Sequence, residues 1–249
     1  MTNLYDDARP PLSGGLEVPA SALSVGAHPD DAEFGAGGTL ARWAAAGCRV
    51  TMLVLTDGSK GTWEEDRPVG ELIESRRREQ EQAASVIGAE RVVQLDHVDG
   101  ELESSLALRE EVCRWIRTVR PGVVLGHDPW RRYMLHPDHR AAGWALIDGV
   151  VAARDHLFFP EQGLDKHRPD AVLLWQADEP DHFEDIAATF ETKIQALLCH
   201  SSQTATTMGD AARSPEARAA FAERLRDLAR RHGEPVELAS AEAFKLIRP

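Results

Sequence analysis

Along the chain, short unbroken apolar runs alternate with longer stretches whose apolar residues recur at helical spacing. Residues 22–27 (ALSVGA) are apolar and stop abruptly at His28 and Pro29, which predicts a buried strand ending in a loop. From 34 to 46 the apolar positions Phe34, Leu40, Trp43 and Ala44 predict a helix that stops at Gly47. A second strand is predicted over 50–55 (VTMLVL), then a polar loop over 56–69 that is longer than most connections and for that reason a candidate for function. A helix over 71–87 stops at Gly88, a strand follows over 91–95, and a helix over 106–119 ends before Pro121 and Gly122. Residues 123–126 predict a fourth strand, 171–176 another, and 184–198 and 215–232 two more helices.

Strands separated by helices imply βαβ crossovers, with parallel strands and helices on both faces of the sheet. The expected fold class is α/β, a Rossmann-like three-layer sandwich with a mostly parallel sheet. At 249 residues one domain is the default, here 19–249, with residues 1–18 expected to be a flexible arm. A sheet of this kind carries its ligand site beyond the carboxyl ends of its strands. The polar clusters 28–31, 56–58, 96–100 and 127–139 each follow a predicted strand, so they should converge.

Composition narrows the partners. Hydrophobic residues are 43% and charged residues 28% of the chain, which excludes disorder and collagen-like repeats. No stretch approaches the roughly 18 consecutive apolar residues of a membrane span, and residues 1–10 carry no basic-then-apolar leader, so a cytoplasmic protein without membrane contact is expected. With 28 Lys plus Arg against 41 Asp plus Glu, the net charge of −13 argues against nucleic acid. The run Arg76 to Arg78 lies in a helical pattern and reads as a mostly solvated face from which one member could point inward. Cys48, Cys113 and Cys199 are widely spaced and suggest buried structural thiols. A homo-oligomer is compatible with all of this.

Two short stretches carry the candidate chemistry, AHPDD at 27–31 and HPDH at 136–139. Together they offer His28, Asp30, Asp31, His136, Asp138 and His139, just after strands. A catalytic zinc takes three N or O ligands and leaves a fourth position to water, whose pKa falls toward about 7. A free carboxylate nearby can take the water's proton as it attacks a carbonyl. Two adjacent Asp residues can divide these roles, because consecutive side chains point apart. A single HPD triplet reads as turn chemistry; two of them on one sheet edge point to a metal site. His127 and Asp128 are candidates to orient a ligand, His97 and His200 to line the pocket, and Trp63 and Trp130, in long loops at the expected mouth, to stack on a ligand ring. Gly35, Gly37 and Gly38 lack the third glycine of a dinucleotide loop, where Leu40 stands, so close helix packing is the better reading and no nucleotide cofactor is expected. There is no G-x-S-x-G elbow.

These motifs carry a resemblance. AHPDD, TDG at 56–58, the R-x-x-E-x-x-x-A-x-x-x-I-G pattern at 76–88, DGEL at 99–102 and HPDH together resemble the PIG-L or LmbE-like family of zinc-dependent N-deacetylases, over residues 22–149 and more loosely to Gln203. The resemblance implies one Zn2+ on His28, Asp31 and His139, Asp30 as general base, and His136 stabilising the oxyanion or protonating the leaving amine. It also implies that Arg76 and Asp99 face a small N-acetylated amino sugar or related amine, such as a mycothiol, bacillithiol or glycosylphosphatidylinositol precursor, a chitin disaccharide or a glycopeptide antibiotic. One departure stands out. Mycothiol-pathway members have a Tyr two residues before the first His of the second motif, where this chain has Met134. Either Tyr133 reaches the substrate from a shifted loop, or His136 polarises the carbonyl without it. The alternative to an enzyme is a catalytically silent metal- or sugar-binding module on the same fold; the retained Asp30 speaks against it.

Overall fold

The strand that begins the sandwich is apolar on both faces because both are covered. In the computed structural model, which describes residues 11–209, 211 and 214–249, it runs Ser21–Gly26 and is buried at all six positions. Counting a two-residue strand before it, β1 (Ser13–Gly14), it is β2. The chain continues through α1 (Asp31–Ala45), β3 (Arg49–Thr56), α2 (Val69–Ile87), β4 (Arg91–His97), α3 (Leu106–Val119) and β5 (Val123–His127). After α4 (Pro137–Arg154) come β6 (Ala171–Trp175), β7 (His182–Asp185), α5 (Phe190–Leu198), α6 (Pro215–Gly233) and β8 (Ala241–Ile247). Local signals set the boundaries. Gly88 closes α2 at φ 84, a left-handed conformation that costs glycine nothing. The Ser105 side chain accepts from Leu108 N–H to cap α3.

The eight strands form one sheet in the order β1-β7-β8-β6-β5-β2-β3-β4. The run β6-β5-β2-β3-β4 is parallel; β8 pairs antiparallel with both β6 and β7. Alternation along the strands divides the core. Leu23, Val25, Leu53, Leu55, Val124 and Leu174 face α3 and α4, whereas Ala22, Val50, Met52, Val123 and Leu125 face α1, α2 and α5. The expected α/β sandwich with a mostly parallel sheet is what forms. The chain order reverses between β2 and β5, and at such a switch point the loops part to leave a crevice. No helix among the described residues is long and apolar enough to cross a membrane.

Three differences from the sequence reading have physical causes. The helix expected over 184–198 starts only at Phe190, because Glu184 and Asp185 belong to β7. Glu184 reads as the polar start of an amphipathic helix, but it is fully buried, accepting from Leu16 N–H and His182 Nε2 at 2.8 Å each and pairing with Arg42. In the stretch expected to be an arm, Ser13 and Gly14 pair with β7, while residues 1–10 lie outside the described residues. Finally, the second histidine motif lies at the start of a helix: His136 is the N-cap and Pro137 to His139 belong to the first turn of α4.

Candidate metal centre and active site

β2 ends at Gly26 and α1 begins at Asp31, so His28 to Asp31 form the crevice turn at the switch point. From the other side, β5 delivers His127, and the start of α4 delivers His136, Asp138 and His139. Three donors stand close together. His28 Nδ1 lies 3.2 Å from His139 Nε2 and 3.5 Å from the nearest Asp31 oxygen, Oδ2; His139 Nε2 lies 3.2 Å from Asp31 Oδ1. Donors at about 2.0–2.1 Å from one tetrahedral ion stand roughly 3.3–3.4 Å from one another. The two sides that meet at His139 Nε2, to His28 Nδ1 and to Asp31 Oδ1, have about that length, and the three donors have the N/O chemistry of a zinc site.

Hydrogen bonds on the far side of each donor decide which atoms remain free for an ion. Trp175 Nε1 donates to His127 Nδ1 at 3.1 Å, so His127 must carry its proton on Nε2 and donate it to Asp31 Oδ2 at 3.0 Å. With His28 N–H also donating to Oδ2 at 2.8 Å, Asp31 is left with Oδ1 facing His139. On His28, Nε2 faces Asp138 Oδ2 at 3.0 Å and Asp99 Oδ1 at 3.2 Å, so that nitrogen carries the proton and the Nδ1 lone pair is turned toward the triangle. His136 extends the group, its ring 4.5 Å from that of His28 and stacked at 4.7 Å on His139. Three overlapping sets of metal-capable groups result: His28, His136 and His139; Asp31, His127 and His139; His28, Asp99 and Asp138. In the second set the His127 nitrogen is spent on Asp31. In the third Asp138 is spent on Gly100 N–H at 2.6 Å, Leu102 N–H at 3.2 Å and His28.

Charge follows the same pattern. Burial works against ionised Asp31, yet His127 and His139 beside it hold its carboxyl well below the usual range. Burial lowers His127, which keeps it neutral. Asp30 differs from its neighbour, since burial outweighs the Arg76 guanidinium and pushes its carboxyl up to about 6. Its Oδ2 is buried without a hydrogen-bond partner, 3.9 Å from Arg76 Nη2. The adjacent carboxylates thus have separate environments, one engaged with the donor triangle and one free beside it.

The cavity above these groups has a volume of about 610 Å³ and is bounded by His28, Asp30, Asp31, Arg76, Asp99, His136 and His139. Of the Arg76 to Arg78 run, Arg76 alone is buried. Its guanidinium donates to Gly58 O at 3.1 Å and Pro29 O at 2.7 Å, tying two loops of the site together. Tyr133 stands apart: it is 87% exposed, with φ 62, and does not line the cavity. Trp63, 75% exposed, does line it, whereas Trp130 packs on Trp144. His97 pairs with Glu111, and His200 is buried behind the site, 3.5 Å from Glu33. Asp128 accepts from Trp130 N–H within its own loop. Lys60, Gln176, Gln203, Thr206 and Thr207, which belong to none of the sequence motifs, also line the cavity. For Lys60 the long loop was a signal; the others come from segments with no motif of their own. Gly35 and Gly38 have the expected packing role, since a Cβ would meet the Trp175 ring at 2.4 Å and Ile186 at 2.7 Å.

The chain is similar to known proteins. Diacetylchitobiose deacetylase of Thermococcus kodakarensis is 38% identical over 184 residues, covering 73% of this chain and 69% of that protein. The 1D-myo-inositol 2-acetamido-2-deoxy-alpha-D-glucopyranoside deacetylase of Actinosynnema mirum is 40% identical over 245 residues, covering 76% and 82%. The solved structure of N,N'-diacetylchitobiose deacetylase from Pyrococcus horikoshii, complexed with its inhibitor MPG, superposes with a TM-score of 0.83 at 28% identity, covering 92% of this chain and 84% of that one. Residues 23–149 match the model of the PIG-L family, described as GlcNAc-PI de-N-acetylase, and the chain belongs to that family.

Proposed function

We propose that the protein is a zinc-dependent hydrolase that removes the N-acetyl group of an amino-sugar-type substrate. His28, Asp31 and His139 hold one ion, Asp30 is the general base, and His136 serves the carbonyl oxygen or the leaving amine. The observation that carries this reading is the unpartnered, buried Oδ2 of Asp30 beside the three converging donors of His28, Asp31 and His139. A site that only binds has no use for a second carboxylate kept free at that position. The named relatives are deacetylases of N-acetylated sugars, which supports the same chemistry here.

A zinc ion held by these residues would supply Lewis acidity toward water and a carbonyl. The protein's own groups do the rest. Asp30 Oδ2 receives a proton, and a carboxyl raised to about 6 is suited to general acid–base work near neutral pH. His136 lines the cavity beside His28 and His139, and its ring serves a reacting oxygen or nitrogen there. Arg76 and Asp99 are the proposed substrate-facing groups deep in the cavity, although Arg76 also holds the loops in place. Along the cavity wall, the Trp63 ring with Gln176, Thr206 and Thr207 offers an apolar face and hydroxyl-matching polar groups, the combination a sugar requires. The three cysteines are unpaired thiols, which supports a cytoplasmic setting.

The test is release of primary amine from a panel of N-acetylated amino sugars by metal-loaded protein, with metal content measured on the same sample. Turnover of at least one sugar is expected. Loaded protein that binds these sugars and releases no amine from any of them would establish the silent binding module instead.

A further inference from the structure

Arg76, Glu79 and Gln80 occupy positions i, i+3 and i+4 of α2 and share one face of that helix. All three are buried, and each fastens a different part of the site. Arg76 ties the loops at Gly58 and Pro29; Glu79 accepts from Ser201 Oγ at 2.7 Å, Ser202 N–H at 2.9 Å and Ser202 Oγ at 2.6 Å. Gln80 reaches Asp30 itself. Its Oε1 accepts from the Asp30 backbone N–H at 3.1 Å, and its Nε2 donates to Glu33 Oε1 at 2.6 Å.

The first of these bonds matters because of the backbone it holds. Asp30 has φ 104 and ψ −22, a region that a residue with a Cβ adopts only when its surroundings enforce it. Asp30 precedes α1, yet its side chain makes no capping bond to that helix, so capping does not fix the carboxylate. Glu33 and His200 are fully buried, with His200 Nε2 3.5 Å from Glu33 Oε1, so the acceptor that locks the Gln80 amide is itself enclosed. We infer that Gln80 is a positioning residue for the proposed reaction. It holds the Asp30 backbone in its strained conformation, Glu33 fixes the direction of the Gln80 amide, and the free Asp30 carboxylate is thereby aimed into the site.

This inference rests on the reading of Asp30 as general base, and a double-mutant cycle separates the two. Gln80→Met keeps the volume and removes both hydrogen bonds. It should lower kcat by about 10- to 100-fold, as misplacement of a reacting group does, while metal per chain and KM stay within about twofold. In an Asp30→Asn background the same substitution should change kcat by less than about twofold, because no base remains to be misplaced. A merely structural role would cost the same factor in both backgrounds. Gln80→Asn, polar but one methylene too short to bridge Asp30 and Glu33, gives the same cycle where the Met variant does not fold. The inference is overturned if Gln80→Met and Gln80→Asn leave kcat near wild type, or if their cost is equal in both backgrounds. Near-normal turnover of the Asp30→Asn protein alone would remove the base reading, and this inference with it.

Discussion

Asp138 offers the most quantitative test of how the centre is held. It is fully buried in the first turn of α4, where its carboxylate accepts from Gly100 N–H at 2.6 Å, Leu102 N–H at 3.2 Å and His28 Nε2 at 3.0 Å. Burial opposes its charge, but the His28 hydrogen bond and these backbone donors hold its carboxyl below the usual range. Asp138→Ala leaves the Gly100 and Leu102 N–H groups without an acceptor and His28 Nε2 with Asp99 Oδ1 alone. Each unpaired buried donor costs about 1–3 kcal/mol, and water entering the vacated space offsets part of this, so a loss of about 3–5 kcal/mol is expected. At roughly 2–4 °C per kcal/mol for a chain of this size, the unfolding temperature of the metal-free protein should fall by about 6–20 °C. The same change leaves the His28 ring held by Asp99 alone, and loss of such a supporting carboxylate lowers metal affinity by about 10- to 100-fold, or roughly 1.4–2.8 kcal/mol. Asp138→Asn keeps one acceptor oxygen and should fall between wild type and Asp138→Ala on both measures. Thermal unfolding of metal-free protein and competition with a chromophoric chelator read the two effects separately. If Asp138→Ala unfolds at the wild-type temperature and binds metal as tightly, the reasoning from His28 and the 99–102 loop is wrong.

Three further outcomes follow from the geometry. His136→Ala should retain its metal and lose more in kcat than it gains in KM, because three donors remain without it; loss of metal on that change would make His136 a ligand. Trp63→Ala should raise KM for a sugar by about 2- to 10-fold, from ~0.5–1.5 kcal/mol of ring contact, with kcat and metal content unchanged; exchange of residues 62–69 should shift preference among N-acetyl amines in the same way. Gly35→Ala drives a Cβ into Trp175, the ring that fixes His127, so it should cost about 1–3 kcal/mol of stability and weaken metal binding as well; an effect on stability without one on metal would break the proposed link through His127.

Much of this was legible because the informative residues are close in sequence and lie at strand ends. The apolar runs from 22 to 126 mark four of the five parallel strands, and the polar clusters after them converge, since parallel strands all present their carboxyl ends on one edge. The split between Asp30 and Asp31 was also foreseeable, as successive side chains diverge. What could not be read is whatever depends on a distant partner. Asp138 stood in the second motif without a role because its three partners are His28, Gly100 and Leu102, brought to it only by the sheet. Gln80 sits 50 residues from Asp30, on a helix whose polar residues look like a solvated face. Glu184 failed for the same reason, a charged residue whose partners Leu16 and Arg42 lie far upstream. Tyr133, the candidate to stand in for the tyrosine that the mycothiol-pathway pattern has in place of Met134, has its side chain turned outward at a positive φ.

The central claim is that one metal sits on His28, Asp31 and His139 with Asp30 free beside it, and metal content measured against turnover tests it most directly. Wild type, Asp31→Ala and Asp30→Asn are loaded in parallel, and metal per chain is read alongside amine release. The account predicts about one ion in wild type, bound through N and O alone. Asp31→Ala should lose the ion, whereas Asp30→Asn should keep it while turnover falls by about 10²- to 10⁴-fold. An Asp30→Asn protein that loses its metal or works at near-normal rate, or an Asp31→Ala protein that keeps a full ion, would contradict the account.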